Sequence, residues 1–410
     1  MTVGGDDFAR QAAEFFRLQG DQRSVGFDAG RNQLVLGDAG GPVSFVYLGH
    51  AQKEHLAAPN APEKEKVLAR RLWSSVRRST HVAPEVLFRS VLPRVRDRAW
   101  FSAVRRQAEL ELGADEEAIR QVTLPHGELN TDLAVNHTFE LPTSVMEIGP
   151  DRLAQWGQTF DGLLDIARKN LRERSKLLFE EPQPGVYVSP YRDAFDASRM
   201  MLPELFTSLP VKGLPVVIAP THDIVLVAGD QDANGLATIG TWAEEALLEP
   251  RTHSAIAFRL HDGRWEPWLP ELNHPAYAKL KLLSLQTVAS AYARQKEVLD
   301  ALLAANQHQL LVANLRAFRT QRGELFTSSA WTEGVEALLP QTDRIDFVRL
   351  APGGDGSSGE VWSTSWDIAR TTLGEQMQPT GDVPERWRVS GFPSAAQLTQ
   401  MADAGKLQDA

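Results

Sequence analysis

The sequence predicts an α+β protein in which mixed or antiparallel sheets pack with helices, and three observations carry that expectation. Short runs of strand character at 25–28, 32–36 and 43–48 are separated by Ala29-Gly30 and by Ala39-Gly40-Gly41-Pro42, which reads as a small meander. Longer stretches repeat their apolar residues at helical spacing. One of them, near 275–306, has no internal Gly or Pro and predicts a long helix leading into a small C-terminal α+β module.

Taken in order, Phe8, Ala12, Phe15 and Phe16 lie on one face of an opening helix over 6–19. After the meander, Pro59 and Pro62 mark a loop into a helix at 65–78. Over 132–141 the residues alternate, with Leu133, Val135, His137, Phe139 and Leu141 on one face and Ala134, Asn136, Thr138 and Glu140 on the other, so a half-buried strand is expected. A helix over 151–176 carries the stripe Leu153, Trp156, Phe160, Leu163, Leu164, Ala167 and Leu171. A strand at 185–189 and a helix at 194–208, interrupted by Pro203, precede two apolar runs at 214–219 and 224–228. Pro220-Thr221-His222-Asp223 joins those runs as a hairpin or as two neighbouring central strands. A helix at 236–248, a strand at 255–260, the turn His261-Asp262-Gly263-Arg264 and a strand at 265–268 complete this part. Beyond the long helix we expect a strand at 310–318, a helix at 331–339, a strand at 345–350, a glycine loop and a further strand. A helix at 366–373, a strand at 386–389 and a helix at 395–404 end the chain. The organisation expected is an N-terminal portion over 1–130, a central one over 131–270, the connecting helix over 271–308 and a module over 309–410.

Composition bounds the function classes. A chain of 410 residues, 42% hydrophobic and 23% charged, can bury a core and is long enough for two or three packed units. It has no cysteine, which removes disulfides, thiolate nucleophiles, zinc ribbons and iron–sulfur ligation together. The first twenty or so residues carry Asp6, Asp7 and Glu14 and no apolar run, and no stretch of about 18 apolar residues occurs anywhere, so a cytoplasmic location and no membrane contact are expected. A net charge of −10 argues against a dedicated nucleic-acid binder.

One local exception to that charge is the arginine-rich segment 66–106, with Lys66, Arg70, Arg71, Arg77, Arg78, Arg89, Arg94, Arg96, Arg98, Arg105 and Arg106 against Glu85 and Asp97. Gathered on one surface they would attract phosphates or nucleic acid; the acidic stretch 109–117 that follows, and the good helix propensity of exposed Arg, favour solvated helix faces.

Three motifs carry possible chemistry. Gly354-Asp355-Gly356-Ser357-Ser358-Gly359 spells G-x-G-x-x-G, but a strand rather than a helix is expected after it, so a hairpin loop is favoured over a dinucleotide site. Asp230, Asp232 and Asn234 stand at positions 1, 3 and 5 of a calcium-loop pattern with Gly235 at 6. Position 12 is Thr241 where a bidentate Glu is required, and a turn opening a helix is the favoured reading. His126, Asp132, His137, His222 and Asp223 could together hold a divalent metal and activate its bound water as a hydrolase would. Against that, His137 points to the apolar face of its strand and Asp223 can bond its own turn, so the structural reading ranks above the metal.

Asp132-Leu133-Ala134-Val135, the helix containing Ala167-Arg168-Lys169-Asn170-Leu171, and Ser198-Arg199-Met200-Met201-Leu202-Pro203 leading to Val217-Ile218-Ala219-Pro220-Thr221-His222-Asp223 resemble the YtpQ-like family of uncharacterised bacterial proteins. The resemblance covers about 25–268. The family often has an Arg before the hairpin Asp, where this chain has His222, and the likeness implies no activity and no catalytic residue. Phe326-Thr327-Ser328 and Leu339-Pro340-Gln341-Thr342-Asp343 are weakly similar to SseB-like domains, which implies interaction more than catalysis. The expectation is therefore a non-catalytic interaction or regulatory protein of the bacterial cytoplasm, without cofactor, binding an unidentified protein partner through aromatic-rich surfaces. A metal-dependent hydrolase, or a phosphate or nucleic-acid binder, stands as the alternative.

Overall fold

The computed structural model describes residues 3–30, 32–37, 43–72, 88–113, 115–141, 144–248, 252–320, 323–350 and 359–408. From the N-terminus run α1 (Val3–Leu18), β1 (Ser24–Asp28), β2 (Gln33–Gly37), β3 (Val43–Tyr47), α2 (Gly49–Ala57) and α3 (Ala61–Leu72). There follow β4 (Val91–Asp97), α4 (Arg98–Leu112), α5 (Glu116–Val122), β5 (Gly127–Glu128), β6 (Leu133–Leu141), β7 (Ser144–Glu147), α6 (Pro150–Gln155) and α7 (Phe160–Arg174). Next are β8 (Glu180–Gln183), β9 (Val186–Val188), a 3-10 turn at Ala197–Met201, α8 (Glu204–Thr207), β10 (Pro215–Thr221), β11 (Ile224–Gly229), α9 (Ala233–Ala246), β12 (Thr252–His261), β13 (Arg264–Pro267) and α10 (Tyr277–Ala305). The chain continues through β14 (Leu311–Val312), β15 (Arg316–Arg319), β16 (Leu325–Thr332), β17 (Ala337–Pro340), β18 (Arg344–Leu350) and β19 (Gly359–Ser365). It closes with α11 (Trp366–Leu373), β20 (Met377–Pro379), β21 (Arg386–Val389) and α12 (Ala395–Gln408). The fold class is α+β, as the sequence predicts, and among the described residues no helix is long and apolar enough to cross a membrane.

Contacts group the chain into two units through which it passes more than once. One comprises Met1–Pro93, Asp115–Pro125 and Asn136–Arg174; the other comprises Arg94–Ala114, His126–Val135 and Ser175–Ala410.

In the first unit the expected antiparallel meander β1-β2-β3 forms, and Phe8, Ala12 and Phe16 of α1 share a core with Leu34 and Leu36 of β2. Burying each of these larger side chains contributes about 1.5–3 kcal/mol, which is what holds so short a meander together. A second cluster sets Phe139 and Ile148 against Leu163 and Ala167 of α7. The single helix expected over 151–176 is two, because Gly157 adopts φ +60° after α6, and Thr159 accepts the Gly162 amide at 3.1 Å where the chain re-enters a helix. β6 is not half-buried: Asn136, His137 and Thr138 are all sealed from solvent. Thr138 donates to the Leu92 carbonyl at 3.2 Å and the Asn136 amide nitrogen to the Glu147 carboxylate, which satisfies those donors in the buried strand.

The second unit is built on an antiparallel sheet ordered β13-β12-β10-β11-β9-β8. The two apolar runs form the predicted hairpin at its centre, and every residue of β10 is buried, which is why that run lacks alternation. Val216, Ile218, Leu226 and Ala228 pack under Leu236 and Ile239 of α9 and Leu280 and Leu283 of α10. Two further sheets, β14-β17-β21-β20 and β15-β16-β18-β19, share a core of Trp331, Phe347, Trp366 and Trp387. Three expectations fail in this unit. The helix over 194–208 is a 3-10 turn and the four-residue α8, divided where Leu202 leaves helical dihedrals before Pro203. The strand over 310–318 is two, β14 and β15, which join different sheets. The helix over 331–339 is the end of β16, a turn at Gly334 with φ +77°, and β17; Leu338 and Leu339 are apolar because both sides of that strand are covered.

Candidate functional site

Among the described residues, no group of three or more His, Asp or Glu side chains is placed to hold a metal ion. His137 belongs to the first unit, whereas His126, Asp132, His222 and Asp223 belong to the second. The exposed His126 stacks on Phe101, ring centres 4.2 Å apart. Asp132 accepts from the Thr131 hydroxyl at 2.7 Å, and burial holds its carboxyl above the usual range against the opposing pull of Thr131 and Arg98. His137 is fully buried with its ring 4.4 Å from Phe160, and neither ring nitrogen reaches a partner at bonding distance. Burial pulls its pKa down to about 4, the Phe160 backbone and the Asp161 charge opposing only in part.

The β10–β11 turn does carry two of the five. Asp223 accepts the Ala194 amide at 2.6 Å, and the His222 carbonyl accepts the Ala197 amide at 3.3 Å. The His222 ring lies 5.0 Å from that of His253, whose Nδ1 meets the Ala219 carbonyl at 3.1 Å. His253 is buried, which lowers its pKa, and Arg96 and Arg94 lower it further while Asp97 acts the other way. Nearby arginines make this imidazole pair a poor seat for a cation.

This turn grips a segment that sequence reasoning passed over. Arg199 is fully buried, with Nη1 and Nη2 each 2.8 Å from Asp193, Nε 2.9 Å from the Ser175 hydroxyl, and the guanidinium carbon 3.4 Å from the Tyr191 ring centre. Burial disfavours the Asp193 carboxylate, but the Arg199 hydrogen bonds and charge outweigh it and hold that carboxyl below its ordinary value. Asp196 accepts from the Ser189 hydroxyl and from the amides of Arg192 and Asp193, while its burial pushes its carboxyl up. The Ser198 hydroxyl accepts the Val95 amide at 3.1 Å. Arg192 and Ala194 have φ of +49° and +65°, left-handed conformations that side chains with a Cβ avoid. The network over-determines the loop and makes those dihedrals tolerable. Three-residue spacing of Asp193, Asp196 and Arg199 is the sequence signal that marked it. Every carboxylate here is spent on an amide, a hydroxyl or a guanidinium, so the arrangement fixes shape.

The calcium-loop residues are spent likewise. Asp232 caps α9 by accepting the Gly235 amide at 3.2 Å, Asp230 accepts the Leu214 amide at 2.8 Å, and Asn234 lies within the helix. In the arginine-rich segment, Lys66 pairs with Glu63, Arg71 with Glu54, Arg98 with Glu128, and Arg106 with Glu109 and Asp382. Arg77 and Arg78, and the glycine motif up to Ser358, lie outside the described residues.

A different surface has unspent recognition chemistry. Among the described residues β15 is an edge strand that pairs with β16 alone, and all four of its residues are exposed. Phe318 stands opposite Phe326 with the rings stacked at 5.4 Å and 21°. Trp331 of β16 faces the core, so by alternation Phe326 and its partner Phe318 face outward. Arg316 shares that outer face two residues before Phe318, and Arg319 ends the strand. Among the described residues neither arginine has a carboxylate at salt-bridge distance, in contrast to Arg349, which pairs with Glu333 and Glu360. An edge strand offers unpaired backbone donors and acceptors, and here aromatic area and two free cations flank it. Against family models, curated proteins and solved structures, the chain shows no significant match.

Proposed function

We propose that the protein acts by binding, as a protein-interaction or regulatory module of the bacterial cytoplasm, and that it takes an acidic, extended segment of a partner along β15. The observation that carries this reading is the coincidence, on one four-residue edge strand, of free backbone groups, the stacked Phe318 and Phe326, and the unpaired Arg316 and Arg319. An added strand would gain affinity from main-chain bonds and selectivity from alternate side chains, with carboxylates set against the arginines.

The test is fluorescence anisotropy with two labelled peptides, one alternating Glu and Val, the other Lys and Val. The Glu peptide should bind, weaken as salt rises, and lose about tenfold or more in affinity against the Arg316→Glu, Phe318→Ser double variant. Equal binding of the two peptides, or an unchanged affinity in the double variant, would sink the reading.

A further inference from the structure

The second unit contains a small polar cavity of about 50 Å³, lined by Tyr292, Lys296, Asn314 and Arg386, with Ala289, Ala293, Ala313 and Leu315 as its small and apolar walls. Ala289, Tyr292, Ala293 and Lys296 recur at helical spacing on one face of α10, and the two alanines are what leave room. That volume exceeds what a single water needs several-fold, which suits a compact polyatomic ion.

The charge balance of the lining is unusual. Arg386 is fully buried, yet its hydrogen bonds all go to neutral oxygens: Nε to Gln295 Oε1 at 2.6 Å, Nη1 to the Ala313 and Leu338 carbonyls at 2.9 and 3.0 Å, and Nη2 to the Tyr292 carbonyl at 3.2 Å. A guanidinium has five N–H donors, so one Nη2 hydrogen is left over. Lys296 contributes the second cation. Its Nζ donates to the Val312 carbonyl at 2.7 Å and lies 2.9 Å from Asp300 Oδ2, two interactions for three hydrogens. The backbone amides of Asn314 and Leu315 make no hydrogen bond within the described residues. Among the described residues no carboxylate lines the cavity; Asp300, which pairs with Lys296, is not one of its lining residues.

A buried cation ordinarily brings its own counter-charge, because removing a lone charge from water is expensive. We propose that the cavity binds a small oxyanion, a phosphate or a carboxylate group, with Arg386 and Lys296 as counter-charges and the Asn314 and Leu315 amides as further donors. Adjacent amides beside a guanidinium fork are donors matched to such a group. Because Asn314 and Leu315 lead directly into β15, occupancy would also steady the start of that strand. The site itself stands without the peptide-binding reading.

Thermal denaturation of the full chain, titrated with sodium phosphate, sodium acetate or sodium chloride at matched ionic strength, tests the inference. Phosphate or acetate should raise Tm saturably while chloride does not. A response to phosphate alone identifies a phosphate site, and a response to acetate alone identifies a carboxylate site. Lys296 is partly exposed, so Lys296→Met should fold and should need about tenfold more anion for the same shift. Lys279→Met, which removes another α10 cation, one paired with Glu244 of α9, should respond as the unaltered chain does. No oxyanion response, equal shifts with chloride, or an identical titration in Lys296→Met would overturn the assignment.

Discussion

Arg199 and Arg386 are both taken wholly out of water, and the molecule satisfies them by opposite means. Arg199 faces a carboxylate in a bidentate pair six residues away, reinforced by the Tyr191 ring and by Ser175, beside a strained loop. Arg386 is met by a glutamine amide oxygen and three carbonyls from α10, the link after β14, and β17. The Arg199 environment is complete in charge and leaves nothing to recruit. The Arg386 environment lacks a facing carboxylate and leaves one N–H without a partner, and burial pulls that guanidinium down to about 10, against the opposing influence of Tyr292, Asp382 and Asp300. The group stays charged at neutral pH. A closed network serves the fold, whereas one short of a charge can serve a ligand.

Removing the carboxylate from the closed network should have the largest effect. Asp193→Ala leaves Arg199 buried with Ser175 and the Tyr191 ring but no anion, and loss of one partner of a buried pair costs about 3–5 kcal/mol. Asp193 is itself about a third exposed, with a side-chain accessibility of 32%, so the lower end, about 3 kcal/mol, is expected from urea denaturation. Its depressed pKa fixes the sign of the pH effect. The pair's contribution is full above the ordinary carboxylate range and is lost as pH falls through the folded value, below about pH 4. Arg386→Met should cost less, about 2 kcal/mol, because it removes the charge along with its desolvation and leaves no orphan carboxylate. The Leu338 carbonyl, for instance, keeps the Ala313 amide at 3.0 Å. If Arg386→Met proves more destabilising than Asp193→Ala, the contrast between the two environments is wrong.

The same contrast explains what could be read from the sequence. The β10–β11 hairpin, the meander, α10 and, apart from the short β20, the elements from β18 onward were legible, because apolar periodicity and Gly or Pro punctuation are local signals. β6 was misjudged because Asn136 and Thr138 owe their burial to Glu147 and Leu92, partners 11 and 46 residues away. The β16–β17 corner was misjudged because an apolar run around Trp331 and Leu338 fits a helix or a doubly covered strand equally well. Of the two arginines, Arg199 left a trace in the spacing from Asp193 and Asp196. Arg386 left none, since the Leu338 and Tyr292 carbonyls lie 48 and 94 residues from it and a carbonyl carries no residue identity.

His137 extends the comparison to a group that, unlike an arginine, can shed its charge. Sealed against Phe160 and shut off from water, it is neutral at pH 7, with a folded pKa of about 4 against an ordinary imidazole value of about 6.5. A histidine whose folded pKa is depressed leaves the unfolded chain holding more protons between those two values. Stability on this account is full above about pH 6.5 and declines as pH falls toward 4. Between pH 7.5 and pH 5 the loss from this one group comes to about 2 kcal/mol. His253, lowered in the same direction, adds to the loss in the same window. Urea denaturation of the unaltered chain and of His137→Phe at those two pH values separates the contributions: the variant should keep about 2 kcal/mol more of its pH 7.5 stability on acidification. An equal decline in both would mean that the imidazole is not buried neutral and that water or a carboxylate reaches it.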